Sequence, residues 1–205
     1  MRGGSQTFLV EGADGYHYVA KFQRNPQGTR TLVNEWIAWR ILQRLGVSTA
    51  DLRILRLTPP MKDRSPELHF SLGSTTVAVM PGLHLGSRCP SNPETTAIFD
   101  FLPNKLLARA ANLGDFAKAF VIDHFLGNCD SRQAVFVRPR GDSALRAYLI
   151  DHGMICGASE WMIRDLPSAA VYFDRTVYTA EDMAAVCAEA IAVLKKIEQK
   201  DFILL

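Results

Sequence analysis

The sequence contains no long hydrophobic run and no excess of charge of one sign. No segment approaches the ~18 to 20 continuous apolar residues of a membrane-spanning helix, and residues 1–6 lack the apolar stretch of a signal peptide. Lysine plus arginine (23) nearly balance aspartate plus glutamate (21), at a formal net charge of +2. We therefore expect no membrane partner, and the charge gives no reason to expect a nucleic-acid partner.

Cysteine usage argues against two further classes. The four cysteines are dispersed, with no C-x-x-C pair and no histidine at zinc-ligand spacing: Cys89, Cys129, Cys156 and Cys187. This pattern is typical of reduced thiols, and we expect a cytoplasmic protein. The 48% hydrophobic content of the 205 residues suits one or two small globular domains.

Near the N-terminus, aromatic and β-branched residues predict a hairpin. Strands over 7–10 and 16–22 flank the turn-forming stretch 11–15, which carries Gly12 and Gly15. Strand alternation puts Val19 and Lys21 on one face. Such a lysine is suited to meet phosphates, while the valine is suited to meet an adenine ring. A solvent-exposed lysine on an edge hairpin is the alternative.

Helical periodicity predicts a helix from Thr29 or Arg30 to Leu45, with Gly46 as its C-cap. Glu35 lies on an apolar-flanked face of this helix. A carboxylate there requires a cationic partner, and we expect Lys21 to be that partner. A partly exposed helical glutamate is the alternative.

The next stretch predicts strands that complete a small, mostly antiparallel unit. We expect a strand over 51–57, a Pro-rich loop over 58–66, and a hairpin of strands 69–72 and 75–80. Pro81, Gly82 and Leu83, directly after Met80, then form a hinge whose backbone can pair with the adenine edge. A plain interdomain connector fits the same residues.

From about residue 84 onward the pattern predicts mainly helices. They cover 104–111, a stretch from 112–115 through Phe125 or Leu126, and a last helix from 179–182 up to Lys200. Between the last two, Gly127 ends a helix, 128–132 form a turn, and strands 134–137 and 147–150 form a hairpin. This hairpin brings Asp130 and Asp151 to one mouth.

The order of these parts resembles the HipA-like kinases, bacterial relatives of the protein kinases and phosphatidylinositol kinases. The resemblance spans residues ~7 to 155 and rests on the ordered set more than on any one motif. It implies a bilobal α+β fold. Residues 1–82 would form a β-rich N-lobe with one helix, and residues 83–205 a mainly helical C-lobe carrying a catalytic hairpin.

The resemblance also implies a role for each matching residue. Lys21, held by Glu35, would contact the α- and β-phosphates of ATP, and Asp130 would accept or orient the proton of the acceptor hydroxyl. Asp151 would bind Mg²⁺. Arg132 would neutralise phosphate charge or brace the loop, and a structural salt bridge to Asp123 or Asp151 is the alternative. The implied nucleotide-binding set is Gly12, Gly15, Val19, Lys21, Glu35, Met80 and Gly82.

Two positions depart from the kinase pattern. Val135 stands where kinase relatives place a metal-binding asparagine, so Gln133 or Asn128 would have to supply that oxygen. His152 replaces the phenylalanine that follows the metal-binding aspartate.

Three functions stay open. One is an ATP-dependent phosphotransferase acting on a protein Ser/Thr or a small-molecule hydroxyl. The second is a degenerate kinase serving as a nucleotide-binding or regulatory module. A metal-dependent hydrolase using Asp123, Asp130, Asp151 and nearby histidines is the third. The sequence identifies neither the acceptor nor the oligomeric state.

Overall fold

A computed structural model describes residues 4–138, 144–162, 170–179, 182–198 and 200. In chain order its elements are β1 (Phe8–Glu11), β2 (His17–Lys21), α1 (Thr29–Arg44), β3 (Leu52–Leu57), α2 (Pro59–Asp63), β4 (His69–Leu72), β5 (Thr75–Ala78), β6 (Gly82–Arg88), β7 (Ile98–Phe99), α3 (Asn104–Leu107), α4 (Gly114–Phe125), β8 (Gln133–Val137), β9 (Arg146–Ile150) and α5 (Met183–Leu194). Short 3-10 segments cover Ile155–Glu160 and Arg175–Tyr178. No helix in the described ranges is long and apolar enough to cross a membrane.

The N-terminal half is an antiparallel sheet of four strands in the order β1-β2-β6-β3. Along β2, Tyr18 and Ala20 are buried, whereas Val19 and Lys21 on the other face are only partly covered. The predicted alternation is therefore confirmed. The hairpin of β4 and β5 covers the sheet's buried face, where Phe70 packs in one cluster with Ala20 and Phe22.

Helix α1 agrees closely with its prediction. It runs from Thr29 to Arg44, and Gly46 follows it with a φ of +69°, a conformation that glycine adopts without steric cost. Its C-terminal half packs into the core of the second half of the chain, where Leu42 lies among α4, β8 and β9 residues. Helix α1 is thus shared by both halves.

The expected hinge at 81–83 and the expected onset of helices near residue 84 are wrong. Gly82–Arg88 is strand β6, which pairs with β2 on one side and β3 on the other. Its sequence is poor in β-branched residues, and pairing on both edges overrides that weak propensity. We propose that the lobe boundary lies after Arg88 and not after Gly82. The Pro-rich stretch also contains the short helix α2, with proline in its first turn.

The second half holds α4, α5 and a sheet in the order β7-β8-β9. Helix α3 is shorter than predicted, and α5 begins after Asp182, whose carboxylate caps the helix by accepting from the Ala184 and Ala185 N–H groups. Asp142 and Ser143, expected in the hairpin connection, lie outside the described residues. The expected α+β fold is confirmed: a small antiparallel sheet with one helix, followed by a mainly helical part with a hairpin.

Candidate active site

Lys21 lies between two carboxylates at the junction of the two halves. Its Nζ is 2.9 Å from Glu35 Oε2 and 2.8 Å from Asp151 Oδ1. The strand β2 supplies the lysine, α1 the glutamate, and the turn after β9 supplies Asp151. The side chains of Lys21 and Glu35 are 11% and 3% exposed, whereas that of Asp151 is 32% exposed. The expected Lys21–Glu35 ion pair is present, and Asp151 lies on the side of the pair that is accessible to solvent.

The charge of Lys21 depends on these carboxylates. Burial alone lowers the pKa of the ammonium, but the charges of Glu35 and Asp151 outweigh burial, so the pKa of Lys21 is raised. Lys21 therefore carries its charge throughout the physiological range.

Gly153 allows α1 and the Asp151 turn to touch. A Cβ at this position would lie 3.0 Å from the Thr31 carbonyl oxygen and 3.2 Å from Glu35 Oε2. Both distances are tighter than ordinary van der Waals contact. Any larger residue would push the turn away from α1, and this explains the glycine in Asp151-His152-Gly153.

Asp130 lies in the turn before β8, where local contacts orient its carboxylate. Oδ1 accepts from the Ser131 N–H at 2.7 Å, and Oδ2 is 3.4 Å from the Gln133 amide nitrogen. The Asp130 N–H donates to Asn128 Oδ1 at 3.1 Å. Asp130 and Gln133 are only partly buried, so both can reach a ligand.

Arg132 is placed differently from the expected phosphate-contacting residue. Its side chain is 0% exposed, and its Nε lies 3.4 Å from Asp123 Oδ2. Nη2 donates to the backbone oxygen of Asp151 at 2.9 Å, and Nη1 contacts His152 Nδ1. A guanidinium enclosed in this way cannot meet a phosphate in the mouth. The structural alternative is the one observed, with Arg132 bracing the turn that carries Asp151.

His152 fills the position between the two cations. Burial lowers its pKa well below the usual value, and the nearby charges of Arg132 and Lys21 lower it further. The guanidinium can only donate, so Nδ1 accepts and the neutral ring carries its proton on Nε2. His152 is therefore a neutral packing residue.

Four residues of the predicted nucleotide-binding set lie away from Lys21. Gly12 and Gly15 belong to the β1–β2 turn, beyond His17, which is about 13 Å along the strand from Lys21. Gly82 begins β6 and Met80 lies two residues before it, whereas Val19 pairs with Ser87 near the end of that strand. The nucleotide-binding role of these four residues stays a prediction.

A cavity that sequence reasoning missed lies beside the segment leaving β6. Its volume is about 360 Å³, and it is lined by the start of β2, the loop before β3, residues 88–92 and Tyr148 of β9. Gly15 contributes to its wall. The sequence gives little indication of this cavity, because Arg88 to Asn92 resemble an ordinary loop.

The candidate metal ligands are only partly suited to Mg²⁺. Both ends of the buried Asn128 amide are engaged, since Nδ2 donates to Asp123 Oδ1 at 3.0 Å and Oδ1 accepts from Asp130. Val135 lies within β8, opposite Tyr148. The described residues contain no group of three or more His, Cys, Asp or Glu that could hold a metal. The Asp151 carboxylate and the Gln133 amide oxygen are ligand types that Mg²⁺ accepts, and Mg²⁺ keeps several waters and requires only one or two protein carboxylates.

The ordered parts, together with the Lys21–Glu35–Asp151 cluster, define a kinase-like arrangement. Comparison with protein families agrees: residues 1–81 match the HipA-like kinase family model, which confirms the resemblance over that segment. A comparison with curated proteins gives no match. The solved structure of the Golgi casein kinase is similar, with a TM-score of 0.48 and 13% identity, over 96% of this chain and 59% of that chain.

Proposed function

We propose that the chain is a kinase that transfers the γ-phosphoryl group of ATP to a hydroxyl group of a protein or a small molecule. The observation that carries this proposal is the position of Lys21 between Glu35 and Asp151 at 2.9 and 2.8 Å. A charged, oriented lysine next to a partly exposed carboxylate is what a phosphate–Mg²⁺ site requires.

In this mechanism the chain acts mainly by positioning and charge neutralisation. Lys21 holds the α- and β-phosphates, and Glu35 fixes the lysine. The oxygen of the acceptor hydroxyl bonds to the γ-phosphorus as Asp130 accepts the proton of that hydroxyl. The bond from the γ-phosphorus to the leaving nucleoside diphosphate breaks at the same time. Mg²⁺, which Asp151 with Gln133 would hold, would supply further neutralisation of phosphate charge.

The cavity beside residues 88–92 is suited to the base. It opens where β2 begins and β6 ends, next to the pair that Val19 of β2 forms with Ser87 of β6. The N–H groups of Arg88 and Cys89 already bond to Asp51 and His17 at 2.8 Å each. We therefore propose that the segment from Cys89 onward, and not 80–82, meets the adenine edge.

A regulatory nucleotide-binding module is the second candidate, and Val135 favours it. A valine at the usual second metal position, with the Asn128 amide engaged on both sides, leaves one fewer oxygen for metal. Nucleotide binding would then persist without transfer.

The test compares two aspartate variants. With Mg²⁺ and ATP, the wild-type melting temperature should rise, and radiolabelled phosphate should move from ATP to the protein or to an added acceptor. Asp151→Asn should abolish both the Mg²⁺-dependent shift and the transfer, because it removes the metal-binding charge. Asp130→Asn should keep the shift and lose the transfer.

Asp63→Asn, on the exposed end of α2, is the matched control and should behave like wild type. A melting shift that persists in the absence of any transfer would favour the regulatory module. A shift with Mg²⁺ alone, accompanied by phosphate release, would favour the hydrolase.

A further inference from the structure

Asn34 connects α1 to the segment that follows Asp151. It is 1% exposed and lies one residue before Glu35. Its Oδ1 accepts from Trp161 Nε1 at 3.0 Å. Its Nδ2, whose two N–H groups are shared among three acceptors, lies within hydrogen-bond distance of the backbone carbonyl oxygens of Gly153 (3.0 Å), Ile155 (2.9 Å) and Ala158 (3.0 Å).

The segment that Asn34 holds has an unfavourable backbone. Cys156, Ala158 and Trp161 have positive φ values of 56°, 59° and 52°. For residues with a side chain, a positive φ is sterically unfavourable. Such a backbone persists only where its surroundings fix it. The buried amide of Asn34 supplies that restraint, since its hydrogen bonds require the carbonyls to converge on one point.

The restraint acts at the functional cluster. Gly153, whose carbonyl oxygen is the first of the three that accept from Asn34 Nδ2, is two residues after Asp151 and in close contact with Thr31 and Glu35 of α1. Helix α1 carries Glu35 and Asn34 side by side. A shift of the segment away from Asn34 would therefore carry Asp151 away from Lys21.

We propose that Asn34 is a positioning residue, which fixes the Asp151 turn against α1 and so keeps the carboxylates of Glu35 and Asp151 together at Lys21. Asn34 acts through the backbone at 153–158 and not on the reacting atoms. The inference deepens the proposed function and rests on it. The segment after Gly153 is thus the part of the chain through which α1 holds Asp151 in place.

The first test requires no nucleotide. Asn34→Asp keeps the size of the side chain and the acceptor for Trp161, but it removes the donors and directs a negative charge at three carbonyl oxygens. The Lys21–Asp151 pair should loosen, which exposes the amine to the reagent. Acetylation of Lys21 by an amine-directed reagent, measured by peptide mass spectrometry, should become at least five-fold faster.

Two controls make the labelling specific. Val33→Ala changes an exposed neighbour on α1 and should leave Lys21 labelling at the wild-type rate. Lys118, which pairs with Glu189 away from the site, is the internal reference in every sample. Unchanged Lys21 labelling in a folded Asn34→Asp protein, with folding checked by circular dichroism, would overturn the proposal.

The second test uses transfer activity. Asn34→Asp should raise the Mg²⁺ concentration for half-maximal transfer at least five-fold, because Asp151 is no longer held in place. A lower melting temperature with a normal Mg²⁺ requirement would reduce Asn34 to a local stabilising contact and overturn the positioning role. Absence of transfer in the wild type contradicts the proposed function instead. In that case the rate of Lys21 acetylation still tests whether Asn34 holds the Asp151 turn.

A second variant covers the case in which Asn34→Asp does not fold. Gly153→Ala opens the same contact from the opposite side, because its methyl group would lie against Thr31 and Glu35. Faster acetylation of Lys21 in this variant supports the proposal, and wild-type labelling contradicts it.

Discussion

Two buried cations, Lys21 and Arg132, are held by carboxylates within the same fold, and their surroundings differ. The Lys21 cluster opens to solvent through Asp151, which is 32% exposed. The Arg132 cluster is closed, since its side chain and that of Asp123 are 0% and 1% exposed. An open cluster can exchange a carboxylate contact for a ligand, whereas a closed one can only stabilise the fold. Residue type alone does not separate the two.

The buried polar atoms of the closed cluster are also less completely paired by hydrogen bonds. Apart from their 3.4 Å charge contact, Asp123 Oδ2 and Arg132 Nε have no hydrogen-bond partner among the described residues. Burial raises the pKa of Asp123, and the charge of Arg132 opposes that shift. Losing one partner would therefore leave a buried, uncompensated group, which is the costly case.

The largest expected effect on stability follows from breaking the closed cluster. Asp123→Asn leaves the Arg132 charge buried without a carboxylate, and we expect the free energy of unfolding to fall by about 3 to 5 kcal/mol, measured by urea denaturation. The double variant Asp123→Leu/Arg132→Met should recover most of that loss, because it removes both charges.

Glu189→Gln is the matched control for this experiment. It breaks the solvent-exposed Lys118–Glu189 pair at 3.0 Å and should cost less than about 1 kcal/mol. If Asp123→Asn costs no more than this control, the closed cluster is not a structural ion pair of the kind described.

The open cluster should respond in the opposite sense, with activity more sensitive than stability. Lys21→Met removes the phosphate contact, and we expect transfer to fall by about 10²–10³-fold. Adding Glu35→Leu should restore stability, since it removes the carboxylate left unpaired, but it should not restore transfer.

Radiolabel transfer and urea denaturation, measured on the same samples, test this prediction. Lys118→Met is the control, a lysine in an ion pair outside the site. Recovery of transfer in the double variant would mean that Lys21 has only a structural role.

The parts of the site that follow from local periodicity could be predicted from the sequence. Strand alternation put Lys21 on the partly covered face of β2, and helical phase put Glu35 on the buried face of α1. These two periods require no knowledge of the rest of the chain. The pair then follows, because a buried carboxylate requires a cation.

Strand β6 depended on tertiary structure and was missed. Gly86 would be a poor strand residue in isolation, but an added Cβ would lie 2.5 Å from Leu55 Cδ1, so the side chain of Leu55 on β3 would have to move to admit any larger residue. The direction of the Arg132 side chain was equally beyond sequence reasoning. The side chain of a loop arginine next to an aspartate can point either into the mouth of the site or into the core. Only the position of Asp123 on α4 decides between these two directions.

The smallest effect concerns two histidines whose pKa is lowered by burial. His152 lies between the two cations, and burial also lowers the pKa of His84, whose Nδ1 accepts from the Gln23 N–H at 3.1 Å. Because the folded pKa is below the unfolded value of about 6.5, the unfolded state binds more protons as the pH falls. Each histidine thus contributes stability that is present above about pH 6.5 and is lost as the pH falls towards the folded pKa.

Between pH 6.5 and 5.5 we expect a loss of up to about 1 kcal/mol for each histidine that stays neutral when folded, measured by urea denaturation at both pH values. His84→Gln should remove the part of this loss that is due to His84, since the amide can replace the ring's hydrogen bonds without titrating. Lys21→Met should leave the part that is due to His152 in place, because burial and the charge of Arg132 still lower its pKa. An acid sensitivity reduced by Lys21→Met would mean that the charge of Lys21, and not burial, keeps His152 neutral.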